Sequence, residues 1–96
     1  AWFAWVLLCG VKVNFKLDTS AEVTAISGET FKRLSCRATL QKPSKTLLYG
    51  PGQQPLEVMG QFTVYKGLQS EQVVFVMKGL RRNLLGLTAL QQTGWS

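Results

Sequence analysis

Histidine is absent from this chain, and aspartate occurs once, at Asp18. The first absence removes the imidazole base of serine and cysteine nucleophile triads, together with the usual zinc sites. The second means that chemistry needing two aspartates must take the second from another copy of the chain. Cysteine is scarce too. Cys9 and Cys36 are too few for a disulfide scaffold and read as free thiols, in a reducing compartment or with no redox role. Charged residues make up only 17% of the chain, few to cover a surface, so some apolar area is expected to meet a partner. No long hydrophobic run is present. The apolar start, Ala1 to Leu8, is far too short to span a bilayer, and no basic residue precedes it as in a signal peptide. No membrane association is expected.

The 96 residues are enough for one small domain, and no linker, repeat or low-complexity run divides residues 1–96. A domain of this size is marginal alone, and dimerisation would add core. Eleven Lys and Arg against five Asp and Glu give a formal net charge of +6. The basic residues are scattered and pair at most, as in Lys32-Arg33 and Arg81-Arg82. The charge therefore reads as solvated surface, and nucleic acid is not expected as a partner. Arg81-Arg82 itself reads as an exposed turn.

What is present is a series of short strands with turns between them, an all-β pattern. Trp2 to Leu8 is an apolar strand ended by the turn pair Cys9-Gly10. Val11 to Leu17 alternates strictly, with Val11, Val13, Phe15 and Leu17 on one face and Lys12, Asn14 and Lys16 on the other. Glu22 to Ile26 reads as a third strand. Ser27 to Leu34 fits one or two helical turns capped by Ser27. Thr39 to Leu48 is strand-compatible, with Pro43 at an edge or bend. Tyr49-Gly50-Pro51-Gly52-Gln53-Gln54-Pro55 is a dense turn signal between Thr46–Leu48 and Leu56–Met59, which predicts a glycine-tipped hairpin. Gln61–Lys66 and Gln72–Lys78 are two further strands. Asn83-Leu84-Leu85-Gly86 is a short apolar run, and a helix is expected from Leu87 to Thr93.

The alternating strand delivers Asp18 into Asp18-Thr19-Ser20-Ala21, an acid at a strand end on a tight turn. With the glycine-tipped hairpin and the later Asn-Leu-Leu-Gly run, in that order, this pattern resembles the retropepsins. These are the aspartic proteases of retroviruses and long-terminal-repeat retrotransposons, and the stretch Phe15 to Leu34 looks most like gypsy-type elements. The resemblance implies an acid-protease fold: an all-β, closed barrel-like subunit with a flap hairpin and one short C-terminal helix, working as a homodimer. It implies an aspartic endopeptidase with Asp18 of each chain as the catalytic pair and no metal or organic cofactor. Thr19 matches the threonine that bonds across the dimer, and Ala21 the small residue beside the substrate backbone. Tyr49, Gly50, Pro51 and Gly52 match the flap, and Leu84, Leu85 and Gly86 the supporting turn. Val23, Ile26 and Leu48 become candidate pocket walls. The substrate would be an extended peptide with apolar residues flanking the scissile bond, in a retroelement polyprotein of the cytoplasm or a virus-like particle.

Two positions depart from the family pattern. Ser20 stands where the motif has glycine, and Leu87 follows Gly86 where retroviral enzymes often have arginine, a partner for the acid matched by Glu22. The Trp2-Phe3-Ala4-Trp5 segment is expected to contribute to the dimer. A catalytically silent, retropepsin-folded binding or dimerisation module is the alternative reading. A basic nucleic-acid-binding barrel is disfavoured because the sequence displays neither an aromatic platform nor a basic stripe.

Overall fold

The computed structural model describes residues 2–18, 21, 23–34, 40–44, 47–49, 54–66 and 70–86. The expected helix over 87–93 lies outside these residues, as do Thr19, Ser20, Glu22, Gly50, Pro51 and Gly52.

Strands β1 (Trp2–Leu8) and β2 (Val11–Leu17) form the first hairpin, paired from Trp2↔Leu17 to Leu8↔Val11. The two-residue turn has Cys9 at φ 48 and Gly10 at φ 79. Two successive positive φ values match the right-handed twist of the flanking strands. The alternation read in the sequence decides which face is buried. Val6, Leu8, Val13 and Phe15 enter the core, while Phe3, Trp5, Leu7, Lys12 and Asn14 face outward.

The third strand, β3 (Thr24–Ser27), begins two residues later than the sequence suggests and runs into α1 (Gly28–Arg33). Ser27 caps the helix as expected: its Oγ accepts from the Thr30 N–H at 3.1 Å. Glu29 in the first turn and Lys32 and Arg33 in the last suit the helix dipole.

Downstream, the strand expected over 39–48 is mostly not one. Among the described residues Gln41 makes an isolated bridge to Gln61, and pairing resumes only at β4 (Leu47–Tyr49). The two strands expected at Leu56–Met59 and Gln61–Lys66 are one, β5 (Pro55–Lys66), with a register shift between Val58 and Gly60. A Cβ at Gly60 would lie 2.4 Å from Leu40 Cγ and 2.9 Å from the Gln41 carbonyl oxygen. The glycine thus marks a close backbone crossing inside a strand, not its end. Strands β6 (Ser70–Met77) and β7 (Asn83–Leu85) complete one sheet of order β1-β2-β7-β3-β6-β5-β4.

Apolar side chains gather in two clusters. One holds Phe15, Ile26, Phe62, Val74 and Leu85; the other holds Ala25, Val58, Phe75, Met77 and Leu84. Neighbours on one strand divide between them, as Leu84 and Leu85 do, because side chains alternate across the sheet. Cys9 is disulfide-bonded, which corrects the free-thiol expectation. Cys36, the only other cysteine of the chain, lies outside the described residues. Among those residues no helix is long and apolar enough to cross a membrane.

Candidate active site

The short strand β7 decides the geometry around Asp18. It lies between β2, which leads into the Asp18 turn, and β3, which leaves it. It runs parallel to β2 through Phe15↔Asn83, Lys16↔Leu84 and Leu17↔Leu85, and antiparallel to β3 at Ala25↔Leu84. Where β2 ends, the Asp18 N–H donates to the Leu85 carbonyl at 3.1 Å. The Ala21 N–H then donates back to the Asp18 carbonyl at 3.1 Å, the contact that closes a tight turn. Asp18 is half-buried. Of Leu84-Leu85-Gly86, Leu85 thus meets the Asp18 turn through its backbone carbonyl.

Two polar side chains complete the support. Thr24, buried ahead of Ala25 and Ile26, turns its Oγ1 to accept from the Gly86 N–H at 3.1 Å. Asn83 reaches both ways: its Oδ1 accepts from the Ser27 N–H at 3.0 Å and its Nδ2 donates to the Asn14 carbonyl at 3.3 Å. A signal existed for Thr24, since a hydroxyl between Val23 and Ala25-Ile26 must find a partner once buried. Asn83 had none beyond its place before Leu84.

Of the suggested pocket walls, Ile26 is corrected: it is wholly buried in the first cluster and faces no cleft. Val23 and Leu48 are half-buried against the second cluster. Tyr49 is exposed at the end of β4, paired with Pro55 in the β4–β5 hairpin.

A cleft of about 580 Å³ opens between the hairpin and the strand pair that carries Asp18. Gln54 and Leu56 line it from the hairpin side, and Lys16 and Leu84 from the Asp18 side. The bend over 81–82 adds Arg81 and Arg82, so the exposed turn expected there is also part of a wall.

The outer face of the first hairpin is mixed in character. Phe3, Trp5 and Leu7 stand exposed in register with Lys16, Asn14 and Lys12, and the Arg82 guanidinium lies 5.3 Å from the Phe3 ring centre. Strand pairing thus sets two exposed aromatic rings and a leucine beside two lysines and an asparagine.

Comparison with solved structures decides the fold. The EIAV protease complexed with the inhibitor HBY-793 superposes with a TM-score of 0.75 and 24% identity, over 98% of this chain and 88% of that one. The fold is a retropepsin fold. No family model and no curated protein matches the chain.

Proposed function

We propose that the protein is an aspartic endopeptidase acting as a homodimer, with Asp18 of each copy forming the catalytic pair. The observation that carries this is the Leu85 carbonyl holding the Asp18 backbone at a strand end, within a fold shared with a retroviral protease. Pinning the turn fixes the backbone from which the carboxylate projects, a first step in positioning a catalytic group.

The chemistry follows from symmetry. One chain supplies one aspartate, and a two-fold axis beside the turn supplies two. Carboxylates in contact cannot both ionise cheaply, so the pair holds one proton between them. The charged member takes a proton from water, which attacks the peptide carbonyl. The protonated member donates to the carbonyl oxygen as the tetrahedral intermediate forms. Collapse returns a proton to the leaving amine and frees two peptides. Thr19 would bond across the dimer and Ala21 would border the substrate backbone. The hairpin of Tyr49, Gly50, Pro51 and Gly52 would close over an extended peptide and exclude water. The substrate class is the retroelement's own polyprotein, processed in the cytoplasm or a virus-like particle.

The test is cleavage of a peptide library by the purified chain beside Asp18→Asn, with sedimentation velocity to establish the dimer. Cleavage lost in the variant, and a bell-shaped pH profile belonging to the pair, are expected. A folded, dimeric wild type that cuts nothing sinks the proposal and leaves the catalytically silent module.

A further inference from the structure

We infer that the cleft lined by Lys16, two residues before Asp18, receives an anionic side chain of the bound peptide, with Lys16, Arg81 and Arg82 recognising it. This rests on the endopeptidase reading and names a substrate feature that the apolar expectation missed. The cleft has an apolar floor, to which buried Leu80 and Leu84 and half-buried Leu56 contribute. Its cations are half-buried Lys16 and exposed Arg81 and Arg82, and among the described residues that line it none is a carboxylate. A peptide side chain with a short apolar stem and a charged end fits both parts.

Three arrangements place this charge where it can act on a substrate. Lys16 precedes Asp18 by two positions at the end of β2, so their Cα atoms are no more than about 7 Å apart. Lys16 is also in register with Leu84, the neighbour of the residue whose carbonyl holds Asp18. A side chain seated here therefore belongs to a residue close to the scissile bond. The third arrangement concerns Arg82, whose guanidinium rests 5.3 Å from the Phe3 ring centre. A stacked guanidinium keeps its N–H edges available and loses less freedom on binding a carboxylate than an unsupported one.

The recognition is charge-assisted hydrogen bonding between these cations and a carboxylate or a phosphate ester. A wholly apolar residue leaves the cations unserved but costs them little, since they keep water. The effect is thus a preference among substrates and not an absolute requirement.

The test uses full-length Asp18→Asn, which binds without cutting, and four peptides that differ at one position near the scissile bond: Glu, phosphoserine, Gln and Lys. Fluorescence polarisation should find the Glu or phosphoserine peptide bound about tenfold more tightly than Gln, and Lys weakest. The ratio of Glu to phosphoserine tells which anion is preferred. In Arg82→Glu the order should move toward Lys, with Arg82→Gln intermediate and circular dichroism unchanged. Equal binding of Glu and Gln peptides, or an order unmoved by Arg82→Glu, overturns the inference. So does tighter binding of a single-stranded oligouridylate that competes with the Glu peptide, which would make the cations a nucleic-acid site. Cleavage of the same peptides by the wild type separates the two claims. Cutting without charge preference removes the anion site and leaves the protease. Charge-selective binding with no cutting removes the protease and leaves the anion site.

Discussion

Gly86 lies so close to Val23 that a Cβ on it would come within 2.5 Å of the Val23 carbonyl oxygen and 2.6 Å of its carbonyl carbon. Both atoms are backbone, so no rotamer change relieves the contact. Gly86→Ala must therefore move the end of β7 away from the start of β3. We expect a loss of about 2–3 kcal/mol, within the range for forced overpacking. The midpoint should fall by on the order of 10 °C for a domain of this size. Thermal unfolding followed by circular dichroism reads it, and an unchanged midpoint would show that the two segments separate freely.

The same glycine's N–H is served by the Thr24 hydroxyl. Thr24→Val keeps the shape of the side chain and removes the acceptor, leaving a buried donor unsatisfied. A cost of about 1–3 kcal/mol is expected, whereas Thr24→Ser should retain most of the stability. Urea denaturation of the two variants side by side separates the hydrogen bond from the packing of the methyl group.

What the sequence made legible was local or periodic. The alternation through Val13 and Phe15 located β2 and placed Asp18 at its end, and Ser27 announced the helix it caps. The insertion of β7 between β2 and β3 is different in kind. It is fixed by contacts such as Thr24 with Gly86, 62 residues apart, and Ser27 with Asn83, 56 apart, and no window of sequence contains them. Gly60 misled for a related reason. It reads as the end of a strand, yet it is a glycine because Leu40 and Gln41 cross there. Ile26 is a pocket candidate only by resemblance, and the packing of β3 against the first cluster buries it instead. Lys16 and Arg82 gave no local sign of sharing a cleft.

Cys9 sits at a turn position with positive φ and is disulfide-bonded. A cross-link of this kind lowers the entropy of the unfolded chain, so reduction should cost about 2–4 kcal/mol. Dithiothreitol is expected to lower the urea midpoint of the wild type. Cys9→Ser should show the lower midpoint from the start and no further response to reductant. A wild type indifferent to reduction would mean that the core holds the first hairpin without the bond.

Asn83 uses both ends of its amide, one toward Ser27 and one toward Asn14, and so ties together the strands on either side of the Asp18 turn. Asn83→Asp separates the two roles. The new carboxyl can still accept from the Ser27 N–H in either protonation state. Only its protonated form can donate to the Asn14 carbonyl, while the charged form sets an anion against that oxygen. Its folded-state pKa should therefore lie above the ordinary value of about 4. A group with a raised folded pKa contributes stability below its unfolded pKa and loses it as pH rises through the folded one. The deficit of Asn83→Asp relative to the wild type should then be small near pH 3.5 and grow to about 1 kcal/mol at pH 7. Asn83→Ala, lacking both roles, should show a deficit independent of pH. Urea midpoints at the two pH values decide it, and a deficit in Asn83→Asp that is equal at both would mean that the Asn14 contact carries no stability.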